Sequence, residues 1–157
     1  MTVAPARPAS TVVLLRPSPS RFDVFLVRRH DKVAFMGGAH VFPGGRVDDA
    51  DRALGGGDGH RVAAIRELFE EAGILLARSR SGGEFALNRP EQVARLKGYR
   101  IALADSAMTM RQVAEREGLE LDIDSLVPFA HWLTPEIEIK RFDTHFFLAV
   151  VPEGQEA

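Results

Sequence analysis

The chain has 157 residues, 45% of them apolar and 27% charged, which suits one globular domain and excludes a disordered or fibrous chain. Its formal net charge of -2 lacks the basic excess of proteins that clamp nucleic acid, and its longest apolar runs are too short to cross a bilayer. It has no cysteine, so we expect a protein of the reducing cytoplasm in which any metal is held by oxygen or imidazole.

Strand patterns dominate the beginning of the chain. Residues 1–10 show no periodic pattern and predict a loose arm rich in proline and alanine. Residues 11–16 and 23–30 are rich in β-branched and apolar side chains, and the turn cluster Pro17-Ser18-Pro19-Ser20 lies between them. This order predicts a β-hairpin after the arm.

Proline and glycine interrupt the next segment. A short apolar stretch over residues 39–42 ends at Pro43-Gly44-Gly45, because proline lacks a backbone donor and glycine permits positive φ. Residues 46–59 are polar and glycine-rich, and they predict an irregular loop.

One helix is predicted together with both of its ends. Residues 60–72 are good helix formers, Asp58 can cap their N-terminus, and Gly73 stands where a C-terminal glycine is favoured. The whole pattern predicts a single α/β or α+β domain over residues 1–157, with layers around a mixed sheet and a small helical insert after this helix. The remaining predicted elements are helices at 90–103 and 107–117 and strands at 74–77, 126–133 and 141–151.

An acidic stripe lies on the helix predicted over residues 60–72. Glu67, Glu70 and Glu71 are related as i, i+3 and i+4, so they share one face, while the opposite face is apolar and can dock on a sheet. Three adjacent carboxylates repel one another, and a bridging cation would remove that repulsion. Hard oxygen ligands favour Mg²⁺ or Mn²⁺. A solvated acidic face is the alternative interpretation of three glutamates taken alone.

The residues around this stripe form a longer pattern. Residues 66–74 are Arg-Glu-Leu-Phe-Glu-Glu-Ala-Gly-Ile, and Phe42-Pro43-Gly44-Gly45 precedes them in the chain. This arrangement resembles the signature of the Nudix hydrolases, which share an α/β/α sandwich around a mixed sheet. The resemblance implies a metal-dependent pyrophosphohydrolase that cleaves a nucleoside diphosphate linked to another group.

The resemblance also implies roles for individual residues. Glu67, Glu70 and Glu71 would bind Mg²⁺ or Mn²⁺ and carry catalysis together with Arg66, which orients the glutamates in this family. A backbone carbonyl near the glycine pair at 44–45 would add a further ligand, since glycine allows the backbone to approach closely.

The chain departs from the usual signature in the loop before Arg66. That loop is about seven residues longer than in the standard motif, and an aspartate stands in place of its glutamate. At the standard spacing of the motif, the position of this glutamate falls on Asp51 when it is counted forward from Gly45, and on Asp58 when it is counted back from Arg66. Both assignments stay open at the level of the sequence.

Two segments indicate a substrate. Residues 35–51 and 132–147 resemble the branch that contains the peroxisomal coenzyme A-cleaving Nudix enzymes, which have an expanded motif. This implies coenzyme A or acyl-coenzyme A as the substrate, although Ala34 stands where the accessory coenzyme A signature has arginine. The alternatives are a pyrophosphatase of ADP-ribose or NADH and a Nudix-fold sensor that binds a nucleotide without cleaving it.

Further residues are candidates by their type. Substrate contacts are assigned to Gly44 and Gly45 and to three arginines that could reach phosphates: Arg28, Arg29 and Arg46. Because the fold normally continues with another strand and a closing helix, we expect its C-terminal end to be missing here, and the general base could lie beyond the chain. Within the chain, the candidates for the general base are Glu136, Glu138, Glu153 and Glu156.

The sequence is compatible with both a monomer and a homodimer.

Overall fold

The computed structural model describes residues 3–31, 37–54, 56–82, 85, 87 and 89–157, and these residues form nine strands and four α-helices. None of the helices that it describes has the length and apolar character of a membrane span. The helices are α1 (Asp49–Leu54), α2 (Gly59–Ala72), α3 (Pro90–Ala104) and α4 (Met110–Glu117). The strands are β1 (Arg7–Ser18), β2 (Arg21–Val24), β3 (Val27–Arg28), β4 (His40–Val41), β5 (Gly44–Arg46), β6 (Ala77–Ser79), β7 (Leu119–Leu121), β8 (Val127–Leu133) and β9 (Phe142–Val150).

A mixed sheet forms the centre of the fold. Its strands follow the order β2-β1-β9-β8, and β5 also pairs with β1. Strands β1 and β9 are parallel, whereas the other pairs in this sheet are antiparallel. The mixed sheet of the predicted α+β fold is therefore confirmed, and so is the predicted hairpin, as β1 and β2. The second strand of that hairpin, predicted over residues 23–30, is corrected: it ends at Val24, and β3 pairs with β4 instead. Strand β8 ends this row of strands, and its residues are exposed along its whole length.

Helix α2 covers one face of the sheet and forms the core with it. Val12 on β1 is the register partner of Phe147 on β9, so both side chains project from the same face of the sheet, and they pack in one cluster with α2. From the helix, Leu68 and Phe69 are fully buried in the same cluster. Complete burial of such a side chain stabilises the fold by about 1.5–3 kcal/mol. The face of α2 that carries the glutamates thus points away from the core.

The predicted insert after α2 is helical. Helix α3 packs against α2 and α4 packs against α1, so the two helices form an outer layer beside α2. Helix α4 begins with a capping box, in which the Thr109 hydroxyl accepts from the Gln112 N–H and the Gln112 side chain accepts from the Thr109 N–H. Strands β6 and β7 pair with each other on either side of this insert.

Three local predictions are corrected by the structure. Strand β1 begins at Arg7, inside the predicted loose arm, because it pairs with β9 from that residue onward. Buried Arg141 also donates to the Ala4 carbonyl at 2.7 Å, so Ala4 is held as well. The segment 46–59 is not an irregular loop, since it contains the end of β5 and all of α1. The strand predicted over 74–77 begins only at Ala77, and residues 74–76 enter the core without strand pairing.

Candidate active site

The acidic helix has well-defined ends. Asp58 accepts from the Arg61 N–H at 3.2 Å as the N-cap, and Gly73 adopts the left-handed conformation at φ 77° as the C-cap. The sequence prediction of both caps is confirmed. Arg100 of α3 adds two hydrogen bonds to the Glu70 carbonyl, at 3.0 and 3.2 Å, which places a cation at the negative end of the helix dipole. The last turn, which carries two of the glutamates, is therefore fixed.

The glycine pair lies directly against the glutamates. Strand β5, which contains Gly44 and Gly45, pairs with β1, and this pairing places the two glycines beside α2. The Gly44 N–H donates to Oε2 of Glu71 at 3.0 Å. A Cβ atom placed on Gly45 would lie 2.2 Å from Oε1 of Glu67, which no side chain could tolerate without displacing that carboxylate. These glycines are required because the backbone itself contacts the acidic cluster.

Arg66 joins the other parts of the cluster. Its Nη1 donates to Oε1 of Glu67 at 2.9 Å and to Oε1 of Glu70 at 3.1 Å, so these two carboxylates are neighbours. Its Nε and Nη2 each donate to Asp51 at 3.0 Å, and Nη2 also donates to the Arg46 carbonyl at 2.8 Å. The guanidinium thus links α1, β5 and α2 through a fixed set of bonds.

The electrostatics of the cluster follow from crowding and burial. Burial opposes the charge of Arg66, but the hydrogen bonds and charges of Asp51 and the glutamates outweigh it, so the pKa of Arg66 is raised. Burial also raises the pKa of Glu67 to about 7, against the lowering effect of Arg66 and with a further rise from the other two glutamates. Loss of hydration raises the pKa of Glu71, although the Gly44 N–H opposes this change.

The residues of this cluster fit a divalent cation. Its three carboxylates offer the oxygen ligands that Mg²⁺ and Mn²⁺ prefer. Partial loss of hydration and repulsion from neighbouring carboxylates both raise the pKa of Glu67 and of Glu71. A cation would relieve both effects, since opposite charge favours the ionised carboxylates.

The structure distinguishes the two aspartates that the sequence left open. Asp51 is only 1% exposed, and both of its carboxylate oxygens accept from Arg66. Asp58 instead caps α2 and forms an ion pair with Arg61 at 3.0 Å. Asp51 therefore belongs to the cluster, and its contact there is with Arg66, which also contacts the glutamates.

The three candidate arginines have different surroundings. The charge of Arg29 partly opposes the rise in the pKa of Glu71, so Arg29 lies within electrostatic reach of the cluster. Arg28 forms an exposed ion pair with Asp31 at 2.9 Å and has no hydrogen bond or ion pair to the glutamates within the described chain. Arg46 takes part through its backbone carbonyl, while the residue itself is exposed. Ala34 lies outside the described residues.

The four candidate bases are not joined to the cluster. All of them are exposed, two in the turn between β8 and β9 and two near the end of the chain. No hydrogen bond or ion pair connects them to the three glutamates in the part of the chain that the structure describes. Glu136, Glu138, Glu153 and Glu156 stay predictions for the general base.

Several residues that support the site are not indicated by any pattern in the sequence. Arg61 donates to the carbonyls of Ile123 and Leu126, both at 2.6 Å, which ties the start of α2 to the residues before β8. The buried side chain of Gln155 accepts from the Leu75 N–H at 2.8 Å and donates to the Leu75 carbonyl at 3.0 Å. These partners are distant in sequence, so no local pattern could indicate them.

The fold and the cluster together are those that the Nudix signature implies: a mixed sheet, a capped acidic helix and a glycine pair against its carboxylates. Comparison with known proteins agrees. The model of the NUDT19 Nudix domain matches residues 52–156, which is more than half of the chain. The chain therefore belongs to the Nudix hydrolase family.

Individual relatives point the same way. "Putative nudix hydrolase 7" of Caenorhabditis elegans is 33% identical over 147 residues, covering 94% of this chain and 45% of that protein. The human acyl-coenzyme A diphosphatase NUDT19 is 29% identical over 202 residues, covering 94% of this chain and 53% of that protein. The chain thus spans about half the length of these relatives.

A solved structure shows the same fold. The NUDIX hydrolase from Alicyclobacillus acidocaldarius superposes with a TM-score of 0.76 at 28% identity, covering 95% of this chain and 71% of that chain. The mixed sheet and the helices of the present chain are accordingly those of a Nudix hydrolase structure.

Proposed function

We propose that this protein is a pyrophosphohydrolase that uses Mg²⁺ or Mn²⁺ to cleave a nucleoside diphosphate linked to another group. The observation that carries the proposal is the contact between the glycine pair and the acidic helix. Gly45 leaves no room for a side chain beside Glu67, and the Gly44 N–H holds Glu71. A merely solvated acidic face would need neither contact.

Each residue of the cluster has a role in this proposal. Glu67, Glu70 and Glu71 would hold the cation, which when bound would neutralise phosphate charge and lower the pKa of bound water. Arg66 positions Glu67 and Glu70, because its Nη1 contacts both carboxylates while Asp51 holds its other nitrogens. Arg66 would thus orient two of the three carboxylates before substrate binds, and such positioning is a main requirement for catalysis of phosphoryl transfer.

For the substrate we propose coenzyme A or acyl-coenzyme A. The proposal is supported by the relatives named acyl-coenzyme A diphosphatase and by the matching domain model. Arg29, which acts on Glu71, is the best placed of the candidate arginines to meet a diphosphate. ADP-ribose and NADH share the diphosphate and are the competing substrates. The cytoplasmic location and the choice between monomer and homodimer stay predictions.

The substrate is tested by identifying products. The protein is incubated with Mg²⁺ or Mn²⁺ together with one compound at a time: coenzyme A, acyl-coenzyme A, ADP-ribose or NADH. The products of each reaction are identified by mass. Release of 3′,5′-ADP and phosphopantetheine from coenzyme A supports the proposal. Cleavage of ADP-ribose with coenzyme A left intact would contradict the proposed substrate and identify ADP-ribose in its place. Binding without any cleavage would indicate a sensor.

The site is tested by removing single carboxylates. Glu70→Gln and Glu71→Gln should each lower turnover by at least about a hundredfold, because each loses a metal ligand whose charge stabilises the transition state. Glu115→Gln, on the exposed surface of α4, is the matched control and should keep wild-type turnover. Wild-type rates for both cluster variants at saturating Mn²⁺ would contradict the assignment.

A further inference from the structure

A second group of metal-binding side chains lies on strands β8 and β9. In their antiparallel register His131 is opposite His145, and Asp143 precedes His145 by two residues, so all three side chains project from one face of the sheet. One ligand atom from each residue lies within 4.8 Å of the other two. Their convergence follows from strand pairing, since the two histidines are far apart in sequence.

The contacts show a cluster centred on one carboxylate. His131 Nε2 is hydrogen-bonded to Oδ1 of Asp143, and His145 Nε2 lies 4.0 Å from the same oxygen. The two imidazole rings have centroids 4.6 Å apart. The side chains of His131, Asp143 and His145 are 57%, 38% and 41% exposed, so an ion can enter and retain a water ligand.

His60 holds the cluster from the side of the helix. Its ring stacks on His145 with centroids 4.0 Å apart and planes 28° apart. Its Nδ1 lies 3.1 Å from the Ala9 carbonyl and 3.2 Å from the Ser10 hydroxyl, so the ring is held against β1. The orientation of the His145 ring is therefore set by α2 and β1 before any ion binds.

We propose that His131, Asp143 and His145 bind a single divalent transition-metal ion, with Zn²⁺ as the best match and water as the fourth ligand. Two imidazole nitrogens and one carboxylate oxygen form a ligand set typical of Zn²⁺. Mg²⁺ prefers oxygen alone, which suits the glutamate cluster instead. The alternative is a simple ion pair between His131 and Asp143. It would explain their hydrogen bond, but it would not explain why His145 faces the same carboxylate oxygen.

The proposed site is separate from the glutamates and has a structural consequence. His60 precedes Glu67 by seven residues, which corresponds to about 10 Å along the helix axis. An ion held by His131 and His145 would join the exposed end strand β8 to its neighbour β9. We therefore expect Zn²⁺ to raise the melting temperature of the whole chain, as any ligand that binds only the folded state does.

The site is tested with Co²⁺ as a spectroscopic probe, in a large excess of Mg²⁺ that occupies the glutamates. We expect one equivalent of Co²⁺ to produce the intense visible absorption of a four-coordinate ion and to be displaced by Zn²⁺. Loss of a supporting contact already weakens metal sites by 10–100-fold, so His131→Ala and His145→Ala should each weaken Co²⁺ binding by at least about a hundredfold. His131 is the more exposed of the two, and its variant should keep the native circular dichroism spectrum.

Two controls separate this site from others. His40→Ala removes an exposed histidine on β4, and it should leave Co²⁺ binding unchanged. The double variant Glu70→Gln, Glu71→Gln should also bind Co²⁺ as wild type does, even when it has lost hydrolase activity. Absence of the absorption band from the wild-type protein would overturn the inference. So would a band that survives His131→Ala or disappears with the two glutamates.

Discussion

Substitution of Gly45 by alanine tests the geometry of the candidate site most directly. The added Cβ would lie 2.2 Å from Oε1 of Glu67, whereas ordinary contact begins at 3.4 Å. The carboxylate must therefore retreat by roughly 1 Å, a displacement that is known to lower rates by about a hundredfold when it affects a catalytic group. Its hydrogen bond from Arg66, now 2.9 Å long, would be lengthened or lost.

Stability should change far less than activity. The colliding atoms are at the end of a flexible side chain, and the φ angle of Gly45 is not in the left-handed region, so the backbone can keep its conformation. We expect Gly45→Ala to lower the free energy of unfolding by about 1–2 kcal/mol, within the ordinary range of single substitutions. Turnover should fall by about a hundredfold.

The assay compares turnover at saturating Mn²⁺ with urea denaturation of the same preparations. Gly98→Ala is the matched control, because the residue is inside α3 and no atom beyond its chain neighbours and the local helix backbone lies within 4 Å of its added Cβ. That change should leave turnover unchanged and stabilise the chain by about 0.5–1 kcal/mol. Turnover of Gly45→Ala within about threefold of wild type would refute the reasoning, because a hundredfold loss follows from the displacement.

Two further predictions concern residues around the site. Asp51→Asn should lower the free energy of unfolding by about 1–3 kcal/mol, because a buried charged partner of Arg66 becomes neutral. It should also lower turnover. Urea denaturation and kcat measure the two effects, and Asp49→Asn, at an exposed residue, is the control. Hydrogen bonds from Arg95 and Tyr99 lower the pKa of Glu117, so the carboxylate binds a proton less readily in the folded chain than in the unfolded one. Its contribution is therefore complete above its ordinary pKa of 4.5 and is lost as the pH falls below that value. Glu117→Gln should melt about 2–4 °C below wild type at neutral pH, and the gap should close in acid; a gap independent of pH would contradict this.

Local patterns determined the helix and the acidic cluster. The i, i+3 and i+4 spacing placed Glu67, Glu70 and Glu71 on one face, and Asp58 and Gly73 marked the ends of α2 correctly. Helical hydrogen bonds join residues four apart, so a single stretch of sequence contains nearly all the information that this element needs. The hairpin of β1 and β2 was predictable for the same reason.

Features that depend on distant partners were decided only by the tertiary structure. Helix α1 forms in a segment that is locally loop-like because its buried Asp51 binds Arg66 and its end is capped by Arg111, which donates to the Ala53 carbonyl at 2.8 Å. The parallel pairing of β1 with β9 is likewise fixed by the core that the two strands share with α2.

The histidine cluster is the clearest example. No spacing in the sequence relates His131 to His145, and His60 lies on a different element altogether. Strand register brings the first two opposite each other, and the docking of α2 brings the third onto their face. A one-residue slip of β8 would turn His131 to the other face of the sheet, so the proposed metal site exists only because the folded sheet fixes that register.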